Sequence, residues 1–180
     1  MHKSGHESLK IPPLRLLAWE TTRRCNLACL HCRAAAGSGP YPGELTTDEG
    51  LTLLDDLATM GQPVVILTGG EPLLRDDIFE LAAHGHNKGL RMVMAVNGTL
   101  LTPQIATRLK EVGIQRLSIS IDGASAASHD QLRAVPGGDC SSVWCNLPII
   151  LSQPHSNCHG YSPSPAKPAV QPFQPLTRRL

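Results

Sequence analysis

The chain has 180 residues, enough for one domain, with 16 basic and 15 acidic side chains and a formal net charge of +1 at pH 7. A nearly neutral chain with two residues each of Trp, Tyr and Phe lacks both the electrostatic field that attracts nucleic acid and the aromatic platforms that stack on single strands. Its apolar runs are far shorter than the roughly 20 residues of a membrane-spanning helix, and its first residues lack the apolar segment of a secretory signal, so a cytoplasmic protein is expected.

Four strands are predicted along the first part of the chain. The first covers residues 14–20 and the third residues 91–96. The second, residues 64–67, is a continuous apolar run, which is typical of a strand covered on both faces in a parallel sheet. In the fourth, residues 116–122, apolar and polar side chains alternate, so one face of that strand is apolar and the other is polar.

A helix is predicted between each neighbouring pair of strands. A capping box starts the first helix, two aspartates suit the positive end of the second, and an N-cap threonine followed by proline starts the third. These signals are Thr46 with Glu49, Asp76 with Asp77, and Thr102 with Pro103, and the helices are predicted to end near Gly61, Gly89 and Gly113.

This alternation predicts an α/β fold with a parallel sheet and right-handed crossovers. Four βα units do not close an eight-fold barrel, which takes about 200 residues or more, so the candidates are an open doubly wound sheet and part of a barrel. In either architecture ligands bind at the carboxyl ends of the strands. Unusual residues follow three of those ends, at residues 68–72, 97–99 and 122–123.

Three cysteines, Cys25, Cys29 and Cys32, lie in the loop after the first predicted strand. In a reducing compartment such cysteines favour metal binding or catalysis over disulfides, and soft sulfur ligands select zinc, copper(I) or iron-sulfur clusters. Zinc would need a fourth ligand, for which His31 is poorly spaced. Three cysteines suit a four-iron cluster in which one iron stays open to an outside ligand. Zinc binding and cysteines without a ligand role are the alternatives.

The triplet, followed by Gly69, Gly70, Glu71 and Pro72 after the second strand, resembles the radical S-adenosylmethionine (radical SAM) superfamily. The resemblance implies a partial (βα) barrel of about four units. It also implies a 4Fe-4S cluster on the three cysteines, with the amino and carboxylate groups of S-adenosylmethionine on the fourth iron. In that family an electron from the cluster cleaves the sulfonium to give a 5′-deoxyadenosyl radical, which abstracts hydrogen from a substrate. An electron donor such as flavodoxin or ferredoxin is therefore an expected partner.

Further residues correspond to the family's cofactor-binding positions. His31 stands where the family usually has an aromatic side chain near the adenine. Gly69 and Gly70 would let the backbone approach a ligand closely, unless they form an ordinary strand-to-helix turn. Glu71 resembles the acceptor of the methionyl ammonium.

The third and fourth strands supply the remaining candidates. Ser120 and Asp122 resemble the family's ribose-contacting group, although an edge strand facing solvent would show the same alternation. Asn97 either contacts cofactor or belongs to an Asn-Gly turn. A stretch after strand four also resembles the family, but a solvated helix face would explain it equally well: His129, Asp130 and Arg133.

The residues on either side of the triplet, 18–22 and 33–36, indicate the branch of the family. They resemble enzymes that mature haem-type tetrapyrroles by oxidative decarboxylation of propionates, and the peptide-modifying maturases are closely similar. Haem maturation ranks slightly ahead, and the expected substrate is a small molecule or a peptide.

The resemblance covers about residues 14–137, so residues 1–138 are interpreted as the N-terminal part of a radical SAM core. Residues 139–180 hold four charged side chains and seven prolines from position 148 onward, and a disordered tail from a truncated or frame-shifted reading is expected there. The spacing of Cys140, Cys145 and Cys158 fits no ligand pattern. Because the core looks incomplete, a non-catalytic fragment or a small metal-binding module is the alternative to an enzyme.

Overall fold

The structure is a computed structural model that describes residues 12–39, 41–123 and 125–134. Its elements are β1 (Leu16–Thr22), α1 (Thr47–Thr59), β2 (Val64–Gly69), α2 (Ile78–Asn87), β3 (Arg91–Val96), α3 (Pro103–Glu111), β4 (Arg116–Ile119) and α4 (Ala126–Arg133). A 3-10 helix, Pro72–Leu74, follows β2. The expected tail, residues 139–180, and its three cysteines lie outside the described residues. Among the helices of the described ranges, none has the length and apolarity that a membrane span requires.

The strands form one parallel sheet in the order β1-β2-β3-β4. Strands that are neighbours in sequence are therefore neighbours in the sheet, whereas a doubly wound sheet reverses its order at a switch point. Because parallel crossovers are almost always right-handed, the connecting helices lie on the same face of the sheet. The described sheet thus has the order of a barrel wall rather than that of a doubly wound sheet.

The hydrophobic core lies between this sheet and the helices that connect its strands. Leu67 of β2 and Met94 of β3 are completely buried, and so are Leu54 of α1 and Leu81 of α2. Burying such a side chain stabilises the fold by about 1.5–3 kcal/mol. The core therefore fixes the two central strands, whose carboxyl ends carry the candidate site.

Local signals predict the starts of α1 and α3 correctly. Thr46 and Glu49 form the capping box at α1, and the Thr102 hydroxyl accepts a hydrogen bond from the Ile105 amide at α3. At α2, Asp77 occupies the N-cap position, but its side chain makes no cap hydrogen bond. The Asp77 carboxylate instead accepts hydrogen bonds from a neighbouring arginine side chain.

Asp77 is bound by Arg75, a residue that is only 8 % exposed. The guanidinium Nε and Nη2 donate to the two Asp77 oxygens at 2.6 and 2.9 Å, and Nη1 donates to the Thr21 carbonyl of β1 at 2.7 Å. Burial raises the pKa of Asp77, but hydrogen bonds from Arg75 and Thr47 outweigh it and hold that pKa below its usual range. Arg75 thereby connects the start of α2 to β1.

Arg75→Ala is expected to lower the free energy of unfolding by about 2–3 kcal/mol, because it leaves the half-buried Asp77 carboxylate without its cation. Arg108→Ala is the matched control. Both guanidinium groups lie over an aromatic ring, that of Arg108 at 3.9 Å from the centre of Phe79, but Arg108 is exposed. Its loss should cost at most about 1 kcal/mol. Equal losses in urea denaturation would contradict the role given to Arg75.

Candidate cluster and cofactor site

The three cysteines lie in a loop, residues 23–39, that we call the cysteine loop. It starts where β1 ends against Gly69 of β2. Its two ends are joined by backbone hydrogen bonds, from the Cys25 amide to the Gly37 carbonyl at 2.7 Å and from the Gly37 amide to the Arg23 carbonyl at 3.2 Å. The Arg23 guanidinium also donates to the Ala34 carbonyl at 3.0 Å. These contacts hold the loop closed at its base.

The sulfur atoms of Cys25 and Cys32 accept hydrogen bonds, and all three cysteines of the loop are free thiols. The Leu27 amide lies 3.5 Å from Cys25 Sγ, and Asn97 Nδ2 of the β3 end lies 3.8 Å from the same atom. The Ala36 amide lies 3.4 Å from Cys32 Sγ. Such donors stabilise a thiolate, which is the form that binds iron.

Cys29 has its donor on α4. Arg133 Nη1 lies 3.9 Å from Cys29 Sγ, and the Leu30 amide donates to the Leu132 carbonyl at 3.1 Å. Burial raises the pKa of the Cys29 thiol, and the Arg133 charge opposes that effect. α4 therefore fixes the middle of the cysteine loop, and each of the three sulfurs has a hydrogen-bond donor.

The thiols open onto a cavity of about 540 Å³ at the carboxyl ends of the strands. Five of the seven predicted cofactor residues line it together with the cysteines: His31, Gly69, Gly70, Asn97 and Ser120. Ser120 follows β4 directly, is exposed, and lines the cavity. The structure thus brings together residues that are up to 95 positions apart in the chain.

Gly69 and Gly70 pack against the start of the cysteine loop. Gly69 has φ of +133°, and a Cβ there would lie 2.1 Å from the Thr22 carbonyl oxygen. A Cβ on Gly70 would lie 2.3 Å from the Arg24 carbonyl oxygen. The Gly70 amide donates to that Thr22 oxygen at 2.8 Å. Because the 3-10 helix begins at Pro72, Gly69 and Gly70 form a strand-to-helix turn. They also allow this turn to lie close to the backbone of Thr22 and Arg24.

Glu71 does not line the cavity; its side chain is fully buried behind the cavity wall. Its carboxylate accepts hydrogen bonds from the Leu73 amide at 3.1 Å and from the Asn97 amide at 2.7 Å. Burial raises the pKa of Glu71, and the two amide donors only partly oppose it. Glu71 therefore ties the end of β2 to the end of β3, and its contact with a methionyl ammonium stays a prediction.

Glu71→Gln gives a test of this burial. In the folded state the Glu71 carboxyl keeps its proton to a higher pH than in the unfolded state. The free energy of unfolding should therefore fall as the pH rises from about 4.3, the ordinary glutamate pKa, through the raised pKa of Glu71. The wild-type minus variant difference should show this fall, because the glutamine side chain of the variant does not titrate. Urea denaturation at several pH values measures it, and a difference that is flat or rises with pH would contradict the raised pKa.

Asp122 also lies outside the cavity lining. Its carboxylate accepts a hydrogen bond from Arg133 Nε and lies 3.4 Å from His31 Nε2, while its amide donates to His129 Nδ1 at 3.1 Å. His129 is 1 % exposed, and Asp130 and Arg133 are buried as well. The alternative of a solvated helix face therefore does not hold for these three residues. Asp122 supports His31 and Arg133 from behind, and its predicted contact with ribose stays a prediction.

The donor set, three free cysteines that line one cavity, fits a four-iron cluster. Within the described ranges, no three Cys, His, Asp or Glu side chains are grouped so that they could hold one metal ion. In a four-iron cluster each thiolate binds a different iron, so the sulfurs need to face one cavity and need not converge on one point. The cysteine loop has this arrangement.

The fold and the site together define a class: an α/β protein with a parallel, barrel-like sheet and a thiol-lined cofactor cavity at the carboxyl ends of its strands. Residues 19–140 match the model of the Radical SAM superfamily. The chain belongs to this superfamily, whose members use a 4Fe-4S cluster and S-adenosylmethionine.

Two of the curated relatives carry names that refer to different products. The AdoMet-dependent heme synthase of Nitratidesulfovibrio vulgaris is 57 % identical over 126 residues, which are 70 % of this chain and 34 % of that protein. The mycofactocin maturase MftC of Mycobacterium tuberculosis is 39 % identical over 125 residues, 68 % of this chain and 31 % of that protein. The chain thus spans about a third of the length of these curated relatives.

Solved structures confirm the fold. His6-tagged anSMEcpe with bound AdoMet superposes with a TM-score of 0.61 at 25 % identity, over 78 % of this chain and 41 % of that one. The predicted partial barrel of the radical SAM type is therefore confirmed for the described part of the chain.

Proposed function

We propose that the chain supplies the cluster-binding and S-adenosylmethionine-binding part of a radical SAM enzyme, in which Cys25, Cys29 and Cys32 ligate a 4Fe-4S cluster. The observation that carries this proposal is the arrangement of the three sulfurs. Each is a free thiol with a hydrogen-bond donor, and all three line one cavity with Gly69 and Gly70. When bound, the cluster would supply the electron that cleaves the sulfonium reductively.

The residues of the chain bind and orient the cofactors. The closely packed turn at Gly69 and Gly70 gives the nucleotide a wall of backbone without side chains. We assign the Ser120 hydroxyl, which lines the cavity, to a polar group of S-adenosylmethionine. Asn97 also lines the cavity, but its carboxamide is already hydrogen-bonded to Asn26 and Thr99, so its contact with the cofactor stays a prediction. His31, whose side chain is 52 % exposed, has room to stack on the adenine, and Asp122 would hold its ring in place.

For the substrate we infer a haem-type tetrapyrrole. The 57 % identity with a heme synthase exceeds the 39 % identity with a peptide maturase over nearly the same length, which supports the first branch over the second. An electron donor of the flavodoxin or ferredoxin type would reduce the cluster.

Anaerobic reconstitution of the full chain with iron and sulfide tests the proposal. We expect about four iron and four sulfide per chain, together with formation of 5′-deoxyadenosine that requires both S-adenosylmethionine and dithionite. Stoichiometric zinc without bound iron would instead indicate a small metal-binding module. A cluster that forms but neither binds nor cleaves S-adenosylmethionine would indicate a non-catalytic fragment, and either result would contradict the proposed function.

A further inference from the structure

Asn97 lies where β3 ends, and its side chain contacts the loop that carries the cysteines. The residue is 5 % exposed. Its Nδ2 donates to the Asn26 side-chain oxygen at 2.9 Å and lies 3.8 Å from Cys25 Sγ. Of the described side chains, this carboxamide alone donates to the Cys25 sulfur; the other donor is the Leu27 amide.

The orientation of this carboxamide is fixed by its neighbours. The amide and the hydroxyl of Thr99 both donate to Asn97 Oδ1, at 2.9 and 2.7 Å. A flipped carboxamide would place its NH₂ group against the Thr99 amide, donor against donor, so the hydrogen-bond network requires Nδ2 to face Cys25 and Asn26. The backbone is anchored too, because the buried Glu71 carboxylate accepts the Asn97 amide hydrogen at 2.7 Å.

A donor held against a cluster thiolate changes the cluster's reduction potential. Reduction adds negative charge that spreads onto the sulfurs, and a hydrogen bond to a sulfur stabilises the reduced form more than the oxidised one. We propose that the Asn97 carboxamide is a positioning group that donates to the Cys25 ligand and thereby raises the reduction potential of the cluster. This inference rests on the proposed function, since it requires Cys25 to ligate iron.

Two variants of Asn97 and one control variant separate an effect on the reduction potential of the cluster from an effect on folding. Asn97→Asp keeps an oxygen that can accept from Thr99 but loses the NH₂ group, and Asn97→Leu removes the donor without adding a charge. Thr99→Val is the control, because it removes a hydroxyl contact to Asn97 Oδ1 and leaves Nδ2 in place. The reconstituted full chain is titrated anaerobically, and the reduced cluster is followed by electron paramagnetic resonance.

We expect both Asn97 variants to have a lower midpoint potential than wild type. A tenfold shift in the ratio of reduced to oxidised cluster corresponds to about 59 mV for a one-electron couple, and a change of roughly that size is expected. Thr99→Val should keep the wild-type potential. These results would support the inference.

The iron content distinguishes failure of the inference from failure of the proposed function. If wild type binds no cluster, the proposed function fails. If all proteins bind a cluster and the Asn97 variants keep the wild-type potential, the inference alone is overturned. It is also overturned if Thr99→Val shifts the potential as much as they do. Loss of iron from both Asn97 variants, but not from Thr99→Val, would mean that Asn97 holds the cluster and does not tune it.

Discussion

Replacing Cys29 with alanine is expected to abolish cluster binding. The iron and sulfide contents should each fall from about four per chain to nearly none. Cys29 is the middle ligand of the proposed set and the one that Arg133 of α4 contacts. Two remaining thiolates would leave two irons open to solvent, and such a cluster falls apart. Iron and acid-labile sulfide analysis measures the loss, together with the visible absorption of the reconstituted chain.

Cys145→Ala is the matched control for this substitution. It makes the same chemical change in a cysteine of the segment whose spacing fits no ligand pattern, and we expect it to keep the full iron and sulfide content. If Cys145→Ala lost as much iron as Cys29→Ala, or if Cys29→Ala kept its cluster, the assignment of the ligands to the cysteine loop would be wrong.

Gly69→Ala is expected to lower the free energy of unfolding by about 4 kcal/mol. Two causes add. A φ of +133° is a conformation that costs an alanine about 1–3 kcal/mol. The new Cβ would also lie 2.1 Å from the Thr22 carbonyl oxygen, and since that atom is backbone, β1 and β2 must move apart at about 1–3 kcal/mol more. Urea denaturation measures the change.

Gly43→Ala separates these two causes. Gly43 also has positive φ, +85°, but a Cβ added there would have nothing within 4 Å. Its substitution should therefore cost only the conformational part, about 1 kcal/mol. Equal losses at the two glycines would show that the close approach of β2 to the end of β1 does not constrain the fold.

The sequence predicts those elements best whose signals are local. β3 has the predicted bounds, residues 91–96, and α1 and α3 start at their predicted N-caps. Strand ends were less predictable because pairing decides them. β1 extends to Thr22, two residues beyond its predicted end, because it continues to pair with β2 past a register shift. β4 stops at Ile119, three residues short, because its pairing with β3 ends at Val96.

The residues of the candidate site also differ in whether their signals are local in the sequence. The cysteines and Gly69-Gly70 could be found from sequence, because their spacing is itself the signal. The role of Arg133 could not, since it contacts Cys29 across 104 residues of chain and a charged residue on a helix normally faces water. The burial of the Glu71 side chain was not predicted for a similar reason. The amide that donates to its carboxylate belongs to Asn97, 26 residues away.

α4 illustrates how much of the site depends on such distant contacts. Its residues Arg133 and His129 both contact Asp122, and Arg133 also reaches the cysteine loop. The buried side-chain atoms His129 Nε2 and Asp130 Oδ1 have no hydrogen-bond partner in the described part of the chain. The face of α4 that carries His129, Asp130 and Arg133 is therefore buried and supports the cysteine loop, although the sequence of the helix is compatible with a solvated face.

The central claim, that three thiolates hold a cluster with one iron free for S-adenosylmethionine, is tested most directly by the electron paramagnetic resonance spectrum of the reduced, reconstituted chain. We expect the signal of a reduced 4Fe-4S cluster, and we expect S-adenosylmethionine to change its g-values because the nucleotide binds the open iron. A cluster signal that stays the same at saturating S-adenosylmethionine would contradict the account.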